Sequence, residues 1–561
     1  MMRKIIAILL AAMLLCGVAC AETLTGTAFG MKSDITVEVE LEDGAITAVT
    51  VVSHDDTPVV ADAAIASVPQ RIVEQQNIEV DAATGATMTS LGIRNAVKNA
   101  LENAGVDVTP FKKGSDKVTE KAEAAEESYD IVIVGGGIAG MSAAIQAKRD
   151  GVERVIVLEK NAYTGGSSLL CGGGIWIVGT ELNKELGVDP TVEEFIDFFE
   201  QSAGGITLNE ELLTNVYNNA AQVFEYLADN GLPYALDTWS LGHPDSKLLV
   251  LWSEKNKETA WSTGHSGYFD AVANAAIALG TEVRTNSKVT ALVHDGNTVT
   301  GVTVEGPDST YTISAKKVIL ATGGFTRNSE LVAKYAPEYT KAFAFTGAGS
   351  TGDGIVMTEE LGAQVIGEGM MGLRGTTMNY GYYNRVGNLS WSPKTILNKE
   401  GEDFGMGSAF YGETLKMLLD QTDACGVGVF DSTMGLNDDL DAAVEAGIAK
   451  KFDTLDELFA DYGVDAATAA ATCESFGVTD GPYYGMTIRP LFIGSIPGLL
   501  VDGDCRVLNA DGEPIENLTA AGELIFANLF QSYYPSSGTG IGMSTYSGSL
   551  AAKTAVSELA Q

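Results

Sequence analysis

The feature that most constrains this chain is the glycine run Gly135-Gly136-Gly137-Ile138-Ala139-Gly140. It follows four consecutive apolar residues at 131–134 and precedes a segment that reads as helix through Ala147. An apolar run bounded by glycine reads as a strand buried on both faces. Glycines at such a turn let the backbone approach a pyrophosphate, and the amides opening the next helix meet its charge. A lone run is weak. Here a second buried strand at 155–158 ends at Glu159, about 20 residues further on, where a carboxylate can accept ribose hydroxyls. Gly135, Gly137, Ala139, Gly140 and Glu159 are therefore expected to hold a dinucleotide on a Rossmann-like α/β domain.

The chain has 561 residues, enough for two or three domains. Its net charge of −39 repels nucleic-acid phosphates and anionic lipid, so neither is an expected partner. Arg3 and Lys4 precede an apolar stretch at 5–15 that is short for a bilayer. Ala19-Cys20-Ala21 then offers a small-residue cleavage site. Residues 1–21 read as a signal peptide, and the expected location is outside the cytoplasm. Cleavage with secretion is favoured over lipid anchoring at Cys20, because Gly17 stands where a lipoprotein signal usually has Leu. Cys171, Cys425, Cys473 and Cys505 form no C-x-x-C pair, so no metal, iron–sulfur or c-type haem site is expected.

Three regions follow the signal. Residues 22–105 read as a small α/β unit, with strands at 35–41 and 46–52, a helix at 60–76 and another capped by Ser90. Residues 106–127 read as a linker. From 128 onward the chain reads as one α/β body. It has a strand pair at 283–305 and a short buried strand at 318–320. An α+β insertion at 367–497, with fewer strand signals and more helix, separates its two parts, 128–366 and 498–561.

Asp81-Ala82-Ala83-Thr84-Gly85-Ala86-Thr87 lies before the second helix of the small unit. It resembles the acceptor motif of FMN-binding domains, Asp-x-x-Ser/Thr-Gly-Ala-Ser/Thr. The resemblance implies that a flavin transferase moves FMN onto Thr87 as a phosphoester. Small residues and nearby helix amides suit a phosphate there.

In the large body, Thr164-Gly165-Gly166-Ser167-Ser168, Cys171-Gly172-Gly173-Gly174, Ala321-Thr322-Gly323-Gly324, Thr351-Gly352-Asp353-Gly354 and Ala521-Gly522-Glu523 follow the glycine run in order. This set resembles the fumarate reductase and succinate dehydrogenase flavoprotein family over about 128–561. The resemblance implies non-covalent FAD on Ala139, Glu159, Ser167, Ser168, Gly172, Gly173, Val289, Asp353, Glu523 and Ile541. It implies that 367–497 is a mobile cap over the flavin. With the FMN unit in front, it resembles secreted respiratory reductases, in which a membrane donor feeds FMN and then FAD.

The chain departs from the fumarate-reducing members. Their two substrate His positions fall at Leu373 and Gly494, the carboxylate-binding Arg at Pro535, and the proton-donating Arg at Tyr411. Nothing there would neutralise a dicarboxylate. Arg374 and Arg385 remain as candidates for a single carboxylate. Tyr411 and Tyr534-Pro535-Ser536-Ser537-Gly538 resemble the ketosteroid dehydrogenase branch. That resemblance implies Tyr411 as the proton-exchanging group, with the Tyr534 hydroxyl and the Gly538 amide holding a carbonyl oxygen. Hydride addition to an enone builds charge on that oxygen, which two donors stabilise. Met370, Met371, Tyr380, Tyr382 and Tyr383 either pack the cap or face a flat apolar ligand, and His265 is the histidine that could line the pocket. The expected function is reduction of an activated C=C bond in a small molecule that is not a dicarboxylate. The alternatives are a ketosteroid-like dehydrogenase, a fumarate-, urocanate- or cinnamate-type reductase, and a non-catalytic flavin electron carrier.

Overall fold

In the computed structural model of the chain, the described residues are 22–30, 34–42, 44–54, 56, 60–83, 86–112, 122–123, 127–203, 208–235, 248–251, 267–307, 309–376, 386–405, 413–531 and 534–560. They form two units, divided between Glu120 and Lys121. No described helix is long and apolar enough to cross a membrane.

The first unit is an antiparallel meander of Glu22–Phe29, Asp34–Glu42 and Ala45–Ser53. Alternation along the middle strand buries Ile35, Val37 and Val39. They pack against the helices Val60–Gln75 and Thr87–Asn103. The strand Glu22–Phe29 had no clear sequence signal. Ser90 is not the helix cap expected for it. The helix starts at Thr87 with Ala86 as N-cap, and Ser90 lies one turn inside. Its hydroxyl donates to the Ala86 carbonyl at 2.8 Å and accepts from the Ala83 amide at 3.0 Å, tying down the preceding loop. The core also reaches into the segment read as linker. Val108 and Phe111 are buried in it, and the Phe111 carbonyl accepts from the Ile78 amide.

The second unit is built on a nine-stranded sheet. Its parallel centre runs Pro514–Ala520, Ser309–Leu320, Glu127–Val134, Val155–Leu158 and Glu282–Arg284, with the hairpin Lys288–Asp295 and Thr298–Glu305 at one edge. Residues 131–134 and 155–158 are fully buried, as parallel strands covered on both faces must be. The strand expected at 318–320 is much longer, because its polar first half pairs with the hairpin.

The insertion is α+β, as expected, with the helices Glu413–Leu419, Asn437–Glu445, Leu455–Tyr462 and Ala466–Ser475 joined to a sheet. Tyr483–Ser495 is its spine and pairs with Met370–Gly375, Gly426–Phe430 and Ala449–Phe452. Val365–Ile366 pairs with Gly498–Leu499, so the insertion leaves and rejoins the body at one place.

The final helix, Thr539–Leu559, backs the helix Ile138–Arg149 that opens at the glycine run. The Ser142 hydroxyl donates to the Thr545 carbonyl at 2.6 Å. A Cβ on Gly548 would run into the Ala139 carbonyl oxygen. Gly548→Val is therefore expected to destabilise the protein by about 3 kcal/mol and to release FAD. An unchanged Tm with full flavin content would refute this close packing.

Candidate active site

The glycine run folds as its composition demands. Gly135 has φ +110°, a conformation L side chains rarely adopt, and a Cβ there would collide with the Ala321 carbonyl. A Cβ on Gly140 would strike the Gly135 carbonyl. The turn therefore sits directly against the strand end at Ala321, and the helix Ile138–Arg149 opens toward a cleft. The Ser168 hydroxyl accepts from the Ile138 amide at 3.2 Å, and the Ser167 hydroxyl accepts from the Gly347 amide at 3.0 Å.

Glu159 is buried at the end of its strand. One carboxylate oxygen accepts from the Gly136 amide at 2.9 Å and the other from the Asn161 amide at 2.8 Å. Burial raises its pKa against those two bonds. Asp353 opens a short helix, and Lys160 donates to it at 2.7 Å and to the Thr351 hydroxyl at 2.5 Å. Lys160 is the cation among the described residues lining the cleft, and it is already committed to Asp353.

The cleft encloses about 1330 Å³ of empty space, part of it open to solvent. Gly135, Gly137, Ala139, Glu159, Ser167, Ser168, Val289, Asp353, Glu523, Tyr534 and Ile541 all line it. Gly140 lies behind the turn. Gly172 and Gly173 follow Cys171, which lines the cleft. Among the described residues the Thr322 hydroxyl buried there has no hydrogen-bond partner, an orphan that a bound cofactor would satisfy. These residues fit FAD: a helix terminus for the pyrophosphate, Glu159 for the ribose, and glycines where side chains would intrude.

A second group surrounds Glu523. One oxygen accepts from the Ser495 amide at 2.7 Å and from the Ser495 hydroxyl at 3.0 Å. A Cβ on Gly324 would collide with both groups, so that glycine makes room for the pair. Met371 and Ile493 also line the cleft. The Tyr534 hydroxyl accepts from the Gly540 amide at 3.5 Å. Gly538 is outside the cleft lining. It is the N-cap of the final helix, at φ +84°, packed on the backbone of Ile175 and Trp176. Leu373 and Pro535 are buried. The Arg374 guanidinium is buried 4.2 Å over the Trp391 ring and does not line the cleft. Tyr411, Arg385, His265, Tyr380, Tyr382 and Tyr383 lie outside the described residues, as does the Thr87 side chain. Sequence reasoning missed Lys160, Ser495 and the Thr322 hydroxyl. Thr322 had a signal, since it sits inside a quoted glycine motif; the other two are set by pairing between distant segments.

Burial pushes the Glu523 carboxyl up from 4.5 to about 7. Between those values the folded chain keeps a proton that the unfolded chain has lost. Glu523 should therefore contribute about 3 kcal/mol less to the stability of the FAD-free protein at pH 7 than at about 4.5, and its contribution should level off above. Glu523→Gln should remove that part of the slope. Identical urea-unfolding pH profiles for wild type and variant would rule it out.

A family model for the FAD binding domain matches residues 130–541, and one for the FMN-binding domain matches residues 30–102. Urocanate reductase of Eggerthella lenta is 30% identical over 542 residues, covering 90% of this chain and 87% of that protein. The open conformation of a flavocytochrome c3 fumarate reductase superposes with a TM-score of 0.65 at 23% identity, over 78% of this chain and 79% of that one. The 3-ketosteroid-Δ4-(5α)-dehydrogenase from Rhodococcus jostii superposes with a TM-score of 0.62 at 22% identity, over 77% and 97%. The chain belongs to the FAD-binding flavoprotein family of fumarate reductases and succinate dehydrogenases, with an FMN-binding domain in front, and is a flavin-dependent oxidoreductase acting on CH–CH bonds.

Proposed function

We propose that the protein reduces a C=C bond conjugated to a carbonyl, on a substrate that is not a dicarboxylate. The observation that carries this is the Glu523 end of the cleft. Met371, Ile493 and Tyr534 line it, and the cleft's described cation is paired with Asp353. FAD, when bound, supplies the hydride. The Tyr534 phenol holds the carbonyl oxygen, where charge builds as the β-carbon is reduced. The donor alongside it is the Gly538 amide that the family resemblance implies, while the Gly540 amide donates to the Tyr534 hydroxyl and steadies it. Tyr411 returns a proton to the α-carbon. Electrons enter from a membrane donor through FMN carried covalently on Thr87, on a protein exported by residues 1–21. The FMN-binding match at 30–102 and the acceptor motif ending at Thr87 support that inlet, and the inlet favours reduction over the reverse reaction.

A second reading is an aryl acrylate with one carboxylate, favoured by the 30% identity to a urocanate reductase. Oxidation of reduced viologen by benzylideneacetone, urocanate, cinnamate and fumarate separates the two. The first is expected to turn over and fumarate is not; brisk fumarate turnover would overturn the proposal. Tyr534→Phe should lower kcat/KM about 100-fold with FAD retained. Equal rates for wild type and variant would remove Tyr534 from the chemistry.

Co-expression with a flavin transferase should add one FMN to the intact mass, and Thr87→Ala should abolish the addition. An unshifted wild-type mass would sink the covalent assignment.

A further inference from the structure

We infer that Met371 determines the substrate class, receiving a flat aryl group next to the reacting double bond and excluding a charged one. The inference rests on the enone reading above. Met371 lies in Met370–Gly375, opposite Gly494 of Tyr483–Ser495, with a register shift immediately after it. It is 5% exposed, yet it lines the cleft with Tyr534 and Glu523. A Cβ on Gly494 would stand 3.1 Å from the Met371 Cε and 3.2 Å from its Sδ. A Cβ on Gly540 would stand 3.3 Å from the same Cε. The thioether thus reaches from the insertion sheet to the first turn of the final helix, filling space that a side chain at either glycine would need. At 494, where the fumarate-reducing pattern has His, the room for such a residue is already taken.

Two glycines and one thioether make a wall without a cation, and the ionisable group beside it is an acid, Glu523, whose carboxyl carbon would stand 3.3 Å from a Cβ on Gly494. A carboxylate placed on it would lose its hydration with little in return. An aromatic ring would gain contact with a polarizable sulfur on an unbranched, adaptable chain. The geometry therefore points to an α,β-unsaturated ketone carrying an aryl group on the double bond.

The test uses the full-length, FAD-loaded protein with benzylideneacetone and ethylideneacetone, which differ by phenyl for methyl. Kd is read from the change in flavin absorbance, and KM from viologen oxidation. Met371→Ala should raise Kd and KM for benzylideneacetone about tenfold and move ethylideneacetone by less than about twofold. Gly494→Ala, which pushes the thioether aside, should act in the same direction, and the double variant should be no worse than Met371→Ala. Equal losses for both ligands, or additive losses in the double variant, would overturn the inference. Should Met371→Ala shed its flavin, Gly494→Ala and Met371→Leu carry the same comparison. If the wild type binds benzylideneacetone without reducing it, the enone-reduction reading falls and the Kd ratio still decides on Met371. If it binds neither ligand, both fall.

Discussion

The site depends on one close approach of backbone to backbone. The turn at 135–140 lies against the Ala321 carbonyl, folds onto itself at Gly140, and is backed by the final helix at Gly548. A methyl group at any of these three glycines would meet a carbonyl oxygen, so the contact holds with hydrogen or not at all. Three segments far apart in sequence are thereby held in one geometry. The amides opening the helix Ile138–Arg149, the orphan Thr322 hydroxyl and the Glu159 carboxylate then face one cleft.

Around that contact the polar groups are anchored from behind by backbone or by each other. Glu159 is held by two amides, Glu523 by Ser495, and Asp353 by Lys160. Groups fixed in this way bind without first being ordered, which lowers the entropic cost of closing on a large cofactor. Burial without a cation is what lifts Glu523 toward neutrality. The neighbouring Met371 and Gly494 have the opposite character, apolar and small. The cleft therefore joins a polar cradle to an apolar wall, a division that suits a charged cofactor beside a neutral substrate.

Local signals carried much of the fold. The buried strands at 131–134 and 155–158, the glycine run and Glu159 were legible because each depends on neighbours a few residues away. The long strand Ser309–Leu320 was legible only in its last residues, since its first half is stabilised by cross-strand pairing that no local pattern reveals. The α+β insertion was legible as a class but not in its pairing, because it is held by Tyr483–Ser495, whose partner Met370 lies more than a hundred residues before Ser495. Ser90 looked like a cap by residue type, but the chain entered the helix earlier and used its hydroxyl to brace the loop.

The sequence by itself determined the two flavin modules, their order, and the glycine turn with its acidic partner. Those features are written in residue types at short spacing, where sterics and charge act locally. Tertiary structure alone decided what stands beside the cofactor cradle. Strand pairing across the insertion sets Met371 against Gly494, and the fold of 522–528 against 495 buries Glu523 on Ser495. Register over such separations is chosen by the packing of the whole sheet, and so is the character of the wall that meets the substrate.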